Sequence, residues 1–229
     1  MQVYFLRSFL GDYMNLKAVI FDLDGVICHT DDYHYQAWNA LADRLGIPFD
    51  QSVNDRLRGV SRMESLDIVL ERSSIVYSEA EKLSLAEEKN IRYQSFLMQM
   101  TPADLDREVE ETLYSLRELG LQLAIGSSSR NTPLILDRLG LGTFFDAVAD
   151  GNQIAHSKPD PEVFLLAASK LNISPSQSLV VEDAAAGIQA AKAGGFLSAG
   201  IGDAADCSET DFPISSFRAL IPICASRIN

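Results

Sequence analysis

The sequence predicts an α/β protein, with a Rossmann-like parallel sheet core and a small α-helical cap domain inserted into it. Three observations carry this expectation. Five short apolar runs are each followed by helix-like sequence, the pattern of parallel strands joined by crossovers. Almost a hundred residues separate the first two runs, too many for a simple crossover, and much of that stretch has helical spacing. Polar and mostly acidic residues stand directly after the runs, at the strand ends where open α/β sheets build their sites.

The elements follow in order. Residues 1–13 are read as an N-terminal extension outside the fold. Their apolar patch is interrupted by Arg7 and Asp12, is too short to span a membrane and lacks the parts of a signal peptide. The first strand, Lys17–Phe21, runs into Asp22-Leu23-Asp24-Gly25. One cap helix extends from about Asp31 to Leu45, with Ala37, Leu41 and Leu45 on one face and Gly46 as its stop. A second starts at Ser61 and a third at Ser78, where Ser61/Glu64 and Ser78/Glu81 have capping-box spacing; the third runs through Leu97. A helix over Glu108–Leu119, ended by Gly120, returns the chain to the core. The second strand, Leu121–Ile125, runs into Gly126-Ser127-Ser128-Ser129. Ala147–Ala149 is the third. Asp160 is the expected N-cap of the next helix, with Pro161 at its first position. Leu179–Val181 runs into Glu182-Asp183, and Phe196–Ile201 completes the set. Residues 14–29 and 101–229 are thus assigned to the core and 30–100 to the cap.

A chain of 229 residues, 47% hydrophobic, can bury one large core together with a small second domain. The net charge of −13 repels nucleic acid and anionic membranes, so neither is an expected partner. It also repels phosphorylated substrates at long range. A phosphate site would therefore need local cations, either a metal ion or inward-pointing Lys and Arg. Cys28, Cys207 and Cys224 are odd in number, widely spaced and unlike a zinc pattern, which points to free thiols in a reducing cytoplasm. A monomer is the expected state.

Asp22 and Asp24 lie two residues apart at a strand end, and Gly25 lets the chain turn sharply after them. A carboxylate can attack phosphorus to form an acyl phosphate. Attack on a phosphate dianion needs charge neutralisation, and Mg²⁺ on oxygen ligands supplies it. Asp22 can serve as nucleophile and ligand together, with Glu182 and Asp183 completing the metal site. Asp24 is then free to protonate the leaving oxygen and to deprotonate an incoming hydroxyl. A lone D-x-D is usually a solvated turn; four carboxylates at the ends of two apolar strands favour a site. Ser127 and the backbone N–H groups beside it can hold phosphate oxygens. Lys158 can pair with both the phosphate and Asp22. Read singly, Ser127 is a loop residue and Lys158 a surface charge; in company they are better explained by function.

The D-L-D-G-V stretch, the strand-end Ser, the S-K-P-D-P stretch and the V-V-E-D stretch resemble the four motifs of the haloacid dehalogenase (HAD) superfamily. They occur in that superfamily's order, over nearly the whole chain from Met14. The resemblance implies the HAD fold, Asp22 as nucleophile and Asp24 as general acid/base. It also implies a metal held by the Asp22 side chain, the Asp24 backbone carbonyl, Glu182 and Asp183. Within the superfamily, Thr30, Tyr33, His34 and Trp38 after the first motif resemble the β-phosphoglucomutases. So do Arg58-Gly59-Val60-Ser61-Arg62, Lys89-Asn90 and Ser127-Ser128-Ser129-Arg130-Asn131. That branch interconverts β-glucose 1-phosphate and glucose 6-phosphate through β-glucose 1,6-bisphosphate.

By this resemblance Thr30, His34 and Lys89 join the catalytic set. Gly59, Ser61, Arg62, Trp38, Ser127, Ser128, Arg130, Asn131 and Lys158 bind substrate or phosphate. Arg62 sits in the first turn of a capped helix, where the dipole and free N–H groups favour an anion and its fork can grip a phosphate. Alone it would read as a surface arginine. His34 and Lys89 match a pair that reports on substrate and gates the reaction, while the blander reading of His34 is a packed helix residue. Trp38 suits packing better than ligation. His29 stands where the branch usually has an acidic residue, and Ala184 where Ser is common; His156 reads as an exposed loop residue. Two rivals remain: a sugar-phosphate phosphatase sharing the same carboxylates, and a non-catalytic sugar-phosphate-binding regulator.

Overall fold

Ala18–Phe21 forms β1, four residues with no exposed side chain. Such a strand is stable only when both faces are covered, and the rest of the chain covers them. A computed structural model describes residues 15–57 and 60–228. The remaining strands are β2 (Gln122–Gly126), β3 (Ala147–Ala149), β4 (Ser178–Glu182), β5 (Leu197–Gly200) and β6 (Phe212–Pro213). All pair in parallel in the order β3-β2-β1-β4-β5-β6. β1 lies between β2 and β4 with Val19 opposite Leu123 and Leu179, so the order reverses at β1 and its C-terminal end is the natural crevice.

The helices are α1 (Asp31–Leu45), α2 (Gln51–Asp55), α3 (Arg62–Leu70), α4 (Glu79–Leu97), α5 (Arg107–Glu118), α6 (Thr132–Arg138), α7 (Glu162–Leu171), α8 (Ala185–Ala193) and α9 (Leu220–Ala225). The two-residue period of β1 sorts its side chains. Ala18 and Ile20 pack with Val163, Phe164 and Ala167 of α7 and with Ala190 and Ala191 of α8. Val19 and Phe21 pack with Val109, Leu113 and Leu116 of α5, Ile135 of α6 and Leu220 of α9.

Helices α1, α3 and α4 build a small core of their own from Trp38, Leu41, Ala42, Leu66, Val69, Leu85 and Ala86. Leu45 is only half-buried against it. Ala37, Tyr93 and Leu97 of the same insert belong instead to the main core, which anchors the insert over the sheet. Ser61 and Ser78 both form complete capping boxes, with Glu64 and Glu81, and Gly46 closes α1 with a left-handed φ of 68°.

Three details differ from expectation. The insert has a fourth, five-residue helix, α2, capped by Asp50. α7 begins at Glu162, with Pro161 in the cap position; Asp160 still accepts the Glu162 N–H at 2.9 Å. A sixth strand, β6, lies at the sheet edge, where a proline's missing N–H costs no ladder bond. The extension 1–13 and Gly59 lie outside the described residues. Among those described, no helix is long and apolar enough to cross a membrane.

Candidate active site

Asp22 follows β1 directly, and its N–H donates to the carbonyl of Val181 on β4. Lys158 is buried beneath it, with Nζ 2.5 Å from Asp22 Oδ1 and 2.5 Å from Glu182 Oε1. The other oxygen of Glu182 accepts the N–H groups of Asp183 and Ala184, each at 2.9 Å. Gly187 makes room for that carboxylate, since a Cβ there would stand 2.0 Å from it. Burial pushes the Asp22 carboxyl well above its ordinary value; Lys158 opposes this, and Glu182, Asp183 and Asp24 add to it. Burial also works against the Lys158 ammonium, but Asp22 and Glu182 outweigh it and hold that group above the usual lysine value.

Carboxylate oxygens of Asp22, Glu182 and Asp183 lie within 4.8 Å of one another. This is a hard, all-oxygen donor set of the kind that Mg²⁺ takes. Gly25 fits the close approach of the two loops: its φ is +85°, and a Cβ on it would lie 2.1 Å from Asp183 Oδ2.

Asp24 Oδ1 accepts a short hydrogen bond from the hydroxyl of Thr30, which is fully buried. Thr30 precedes α1 but makes no side-chain cap there, because its hydroxyl is turned to Asp24. Burial raises the Asp24 carboxyl, and the Thr30 bond offsets part of the shift. His29 is exposed, whereas Cys28 is buried, its thiol donating to the Leu23 carbonyl at 3.7 Å.

Above these carboxylates, α1 and α4 bring His34 and Lys89 together, Lys89 Nζ standing 2.9 Å from His34 Nδ1. The same ammonium lies 4.7 Å from the Trp38 ring centroid and 4.5 Å from that of Tyr93. Burial, reinforced by Arg62, lowers Lys89 to about 7. Burial likewise lowers His34 well below its usual value, and Lys89 and Arg62 add to the shift.

The loop after β2 folds on itself. The Ser129 N–H donates to Ser127 Oγ at 3.1 Å, and the Asn131 N–H to Ser129 Oγ at 3.2 Å. The buried hydroxyl of Ser128 has no hydrogen-bond partner among the described residues, a polar atom suited to a ligand oxygen. The Asn131 amide is shared with α4: its oxygen accepts from Gln94 at 2.8 Å and its nitrogen donates to Asn90 at 3.0 Å.

A single cavity of about 850 Å³ opens onto Asp22, Asp24, Lys158, Glu182 and Asp183 from the core. It is also lined by His34, Trp38, Ser61, Arg62 and Lys89 from the insert, and by Ser127, Ser128, Arg130 and Asn131 from the loop after β2. Thr30 is behind this wall, reaching the cavity only through Asp24. The Ser61 hydroxyl is committed to its cap. His156 is exposed, 3.1 Å from Glu162.

Sequence reasoning passed over Glu87, Tyr93 and Gln94. The first two line the cavity, and Gln94 holds Asn131. The signal was available, since residues 83, 86, 87, 90 and 94 follow helical spacing on one face of α4.

Residues 16–195 match the family described as haloacid dehalogenase-like hydrolases. A β-phosphoglucomutase of Bacillus subtilis (strain 168) is 43% identical over 189 residues, covering 82% of this chain and 84% of that protein. A phosphorylated carbohydrates phosphatase of Thermotoga maritima is 34% identical over 184 residues, 79% of this chain and 82% of that one. The crystal structure of a β-phosphoglucomutase from Clostridium difficile matches with a TM-score of 0.84 at 38% identity, covering 90% of this chain and 93% of that one.

Proposed function

Because the chain belongs to the haloacid dehalogenase-like hydrolase family, we propose that it is a phosphomutase interconverting β-D-glucose 1-phosphate and D-glucose 6-phosphate. The observation that carries this reading is a cavity with cations at two places. Lys158 lies beside Asp22, while Arg62 and Arg130 line the part formed by the insert and the loop after β2. A mutase whose intermediate is β-glucose 1,6-bisphosphate has to hold two phosphates at once. The similarity to β-phosphoglucomutases supports the same choice.

In the mechanism, an Asp22 carboxylate oxygen attacks the nearer phosphorus of the bound sugar bisphosphate, leaving a sugar monophosphate. The O–P bond to Asp22 forms as the P–O bond to the sugar breaks, and Asp24 gives its proton to the departing sugar oxygen. Burial raises the Asp24 carboxyl, which favours its holding that proton. In the opposite half-reaction, a hydroxyl at the other end of the sugar passes its proton to Asp24 and attacks the aspartyl-phosphate, which frees Asp22. Lys158 opposes the burial that raises the Asp22 carboxyl, which favours the attacking carboxylate, and it faces the transferring phosphate.

Asp22, Glu182 and Asp183, with the Asp24 backbone carbonyl, are the residues that would hold Mg²⁺. When bound, the ion supplies positive charge against the phosphoryl oxygens. Arg62, Arg130, Ser128 and Asn131 take the far phosphate, and His34 and Lys89 sense the sugar between the two sites. Residues 30–100 act as a cap that excludes water from the aspartyl-phosphate. A monomer in the cytoplasm is the proposed setting, in keeping with three free thiols.

The test supplies Mg²⁺, β-glucose 1-phosphate and a trace of the bisphosphate, and measures glucose 6-phosphate and free phosphate together. Glucose 6-phosphate is the expected product, and Asp22→Asn abolishes it. Free phosphate alone would instead make the protein a phosphatase, like its Thermotoga relative.

A further inference from the structure

The part of the cavity that presents Arg62, Arg130 and Asn131 also contains a carboxylate. Glu87 stands on α4 one turn before Asn90 and lines the same cavity. Its carboxylate lies 3.5 Å from the Arg62 guanidinium. The Arg62 side chain is 22% exposed and that of Glu87 59%, so Glu87 meets Arg62 from the solvent side of the cavity mouth. Arg62 needs such a counter-ion, since burial disfavours its charge and Arg130 repels it. Glu64, on the same helix as Arg62, is already committed to the Ser61 N–H at 2.8 Å. An ion pair this long and this exposed contributes little stability. A phosphate that takes two guanidinium N–H groups forms a stronger, charge-assisted contact.

We infer that Glu87 is a displaceable counter-ion, occupying Arg62 until the far phosphate of a sugar phosphate takes its place. This rests on the reading of the cavity as a two-phosphate site. Glu87 touches no reacting atom; it is a positioning residue that acts through Arg62. Its cost falls on binding and not on the chemical step.

Trp38 is the sole tryptophan and stands in the cavity against Lys89, so its fluorescence reports ligand binding. Titration with glucose 6-phosphate, alongside turnover, is run on wild type, E87Q, R62A, R62A/E87Q and E88Q. E87Q is expected to lower Kd and KM by about two- to fivefold, the scale of an exposed ion pair. Its kcat stays within about twofold of wild type. E88Q removes the same charge from the same helix, at a residue paired with Arg44, and is expected to change neither constant. Adding E87Q to R62A is expected to have no effect. The inference is overturned if E87Q leaves Kd unchanged or weakens binding, if E88Q tightens binding equally, or if the effect survives in R62A. The titration does not need turnover, so a wild type that binds glucose 6-phosphate yet converts nothing sinks the mutase reading and leaves the Glu87 result legible.

Discussion

Two buried lysines in one cavity are driven in opposite directions by their neighbours. Lys158 has two carboxylates at 2.5 Å and stays charged. Lys89 has a histidine and two aromatic rings, and burial takes it down to about 7 from an ordinary 10.5. In the unfolded chain Lys89 would hold its proton up to its ordinary value, whereas in the fold it releases it far earlier. Its contribution to stability is therefore present above about pH 10 and is lost as pH falls toward 7. Lys89→Met keeps the apolar stem and removes that cost. Thermal unfolding is expected to show Lys89→Met more stable than wild type at pH 7, by on the order of a few kcal/mol. The gap should narrow steadily between pH 7 and pH 10, while sugar-phosphate turnover falls at every pH. A gap independent of pH would mean that Lys89 is not the group responsible. Stability is given up here at the position proposed to sense the sugar.

At the scale of the element, α4 supplies more of the cavity wall than any other helix of the insert. Its capped start at Ser78 and its 19-residue length carry Glu87, Lys89, Asn90, Tyr93 and Gln94 over the strand ends. Gln94 fixes which way the Asn131 amide faces. Gln94→Leu removes that hydrogen bond and is expected to raise KM for the sugar phosphate by about three- to tenfold, with a smaller change in kcat. Steady-state kinetics read the split, and a fall confined to kcat would place Gln94 elsewhere in the cycle. Much of this architecture was legible in the sequence for definite reasons. Ser61/Glu64 and Ser78/Glu81 mark helix starts by their side-chain chemistry, and β1 and β4 are apolar runs closed by acids. The short α2 and the two-residue β6 carry too little periodicity to be read. Glu87, which lines the cavity, and Gln94, which holds Asn131, share a helical face with Asn90, but a charged or amide residue on a long helix reads as solvated until the fold shows that this face turns inward. The pairing of Asn131 with Asn90 joins residues 41 apart and has no local signature.

For the molecule as a whole, the net charge of −13 opposes every anionic substrate before it reaches the cations of the cavity. Salt screens that far field first, because the local contacts act within a Debye length. The value of kcat/KM for the sugar phosphate is accordingly expected to rise between about 0.01 M and about 0.15 M ionic strength. A monotonic fall across that range would show that the cavity cations, not the net charge, govern encounter. A long span of the chain is closed at a glycine. Asp183 lies where a side chain on Gly25 would begin, although about 160 positions of chain separate the two. A loop transplanted from a distant homologue with any methyl-bearing residue at position 25 would thus bring its own obstruction, evicting an acid contributed by the opposite end of the polypeptide. The two segments form one interlocking part and can be exchanged only as a pair.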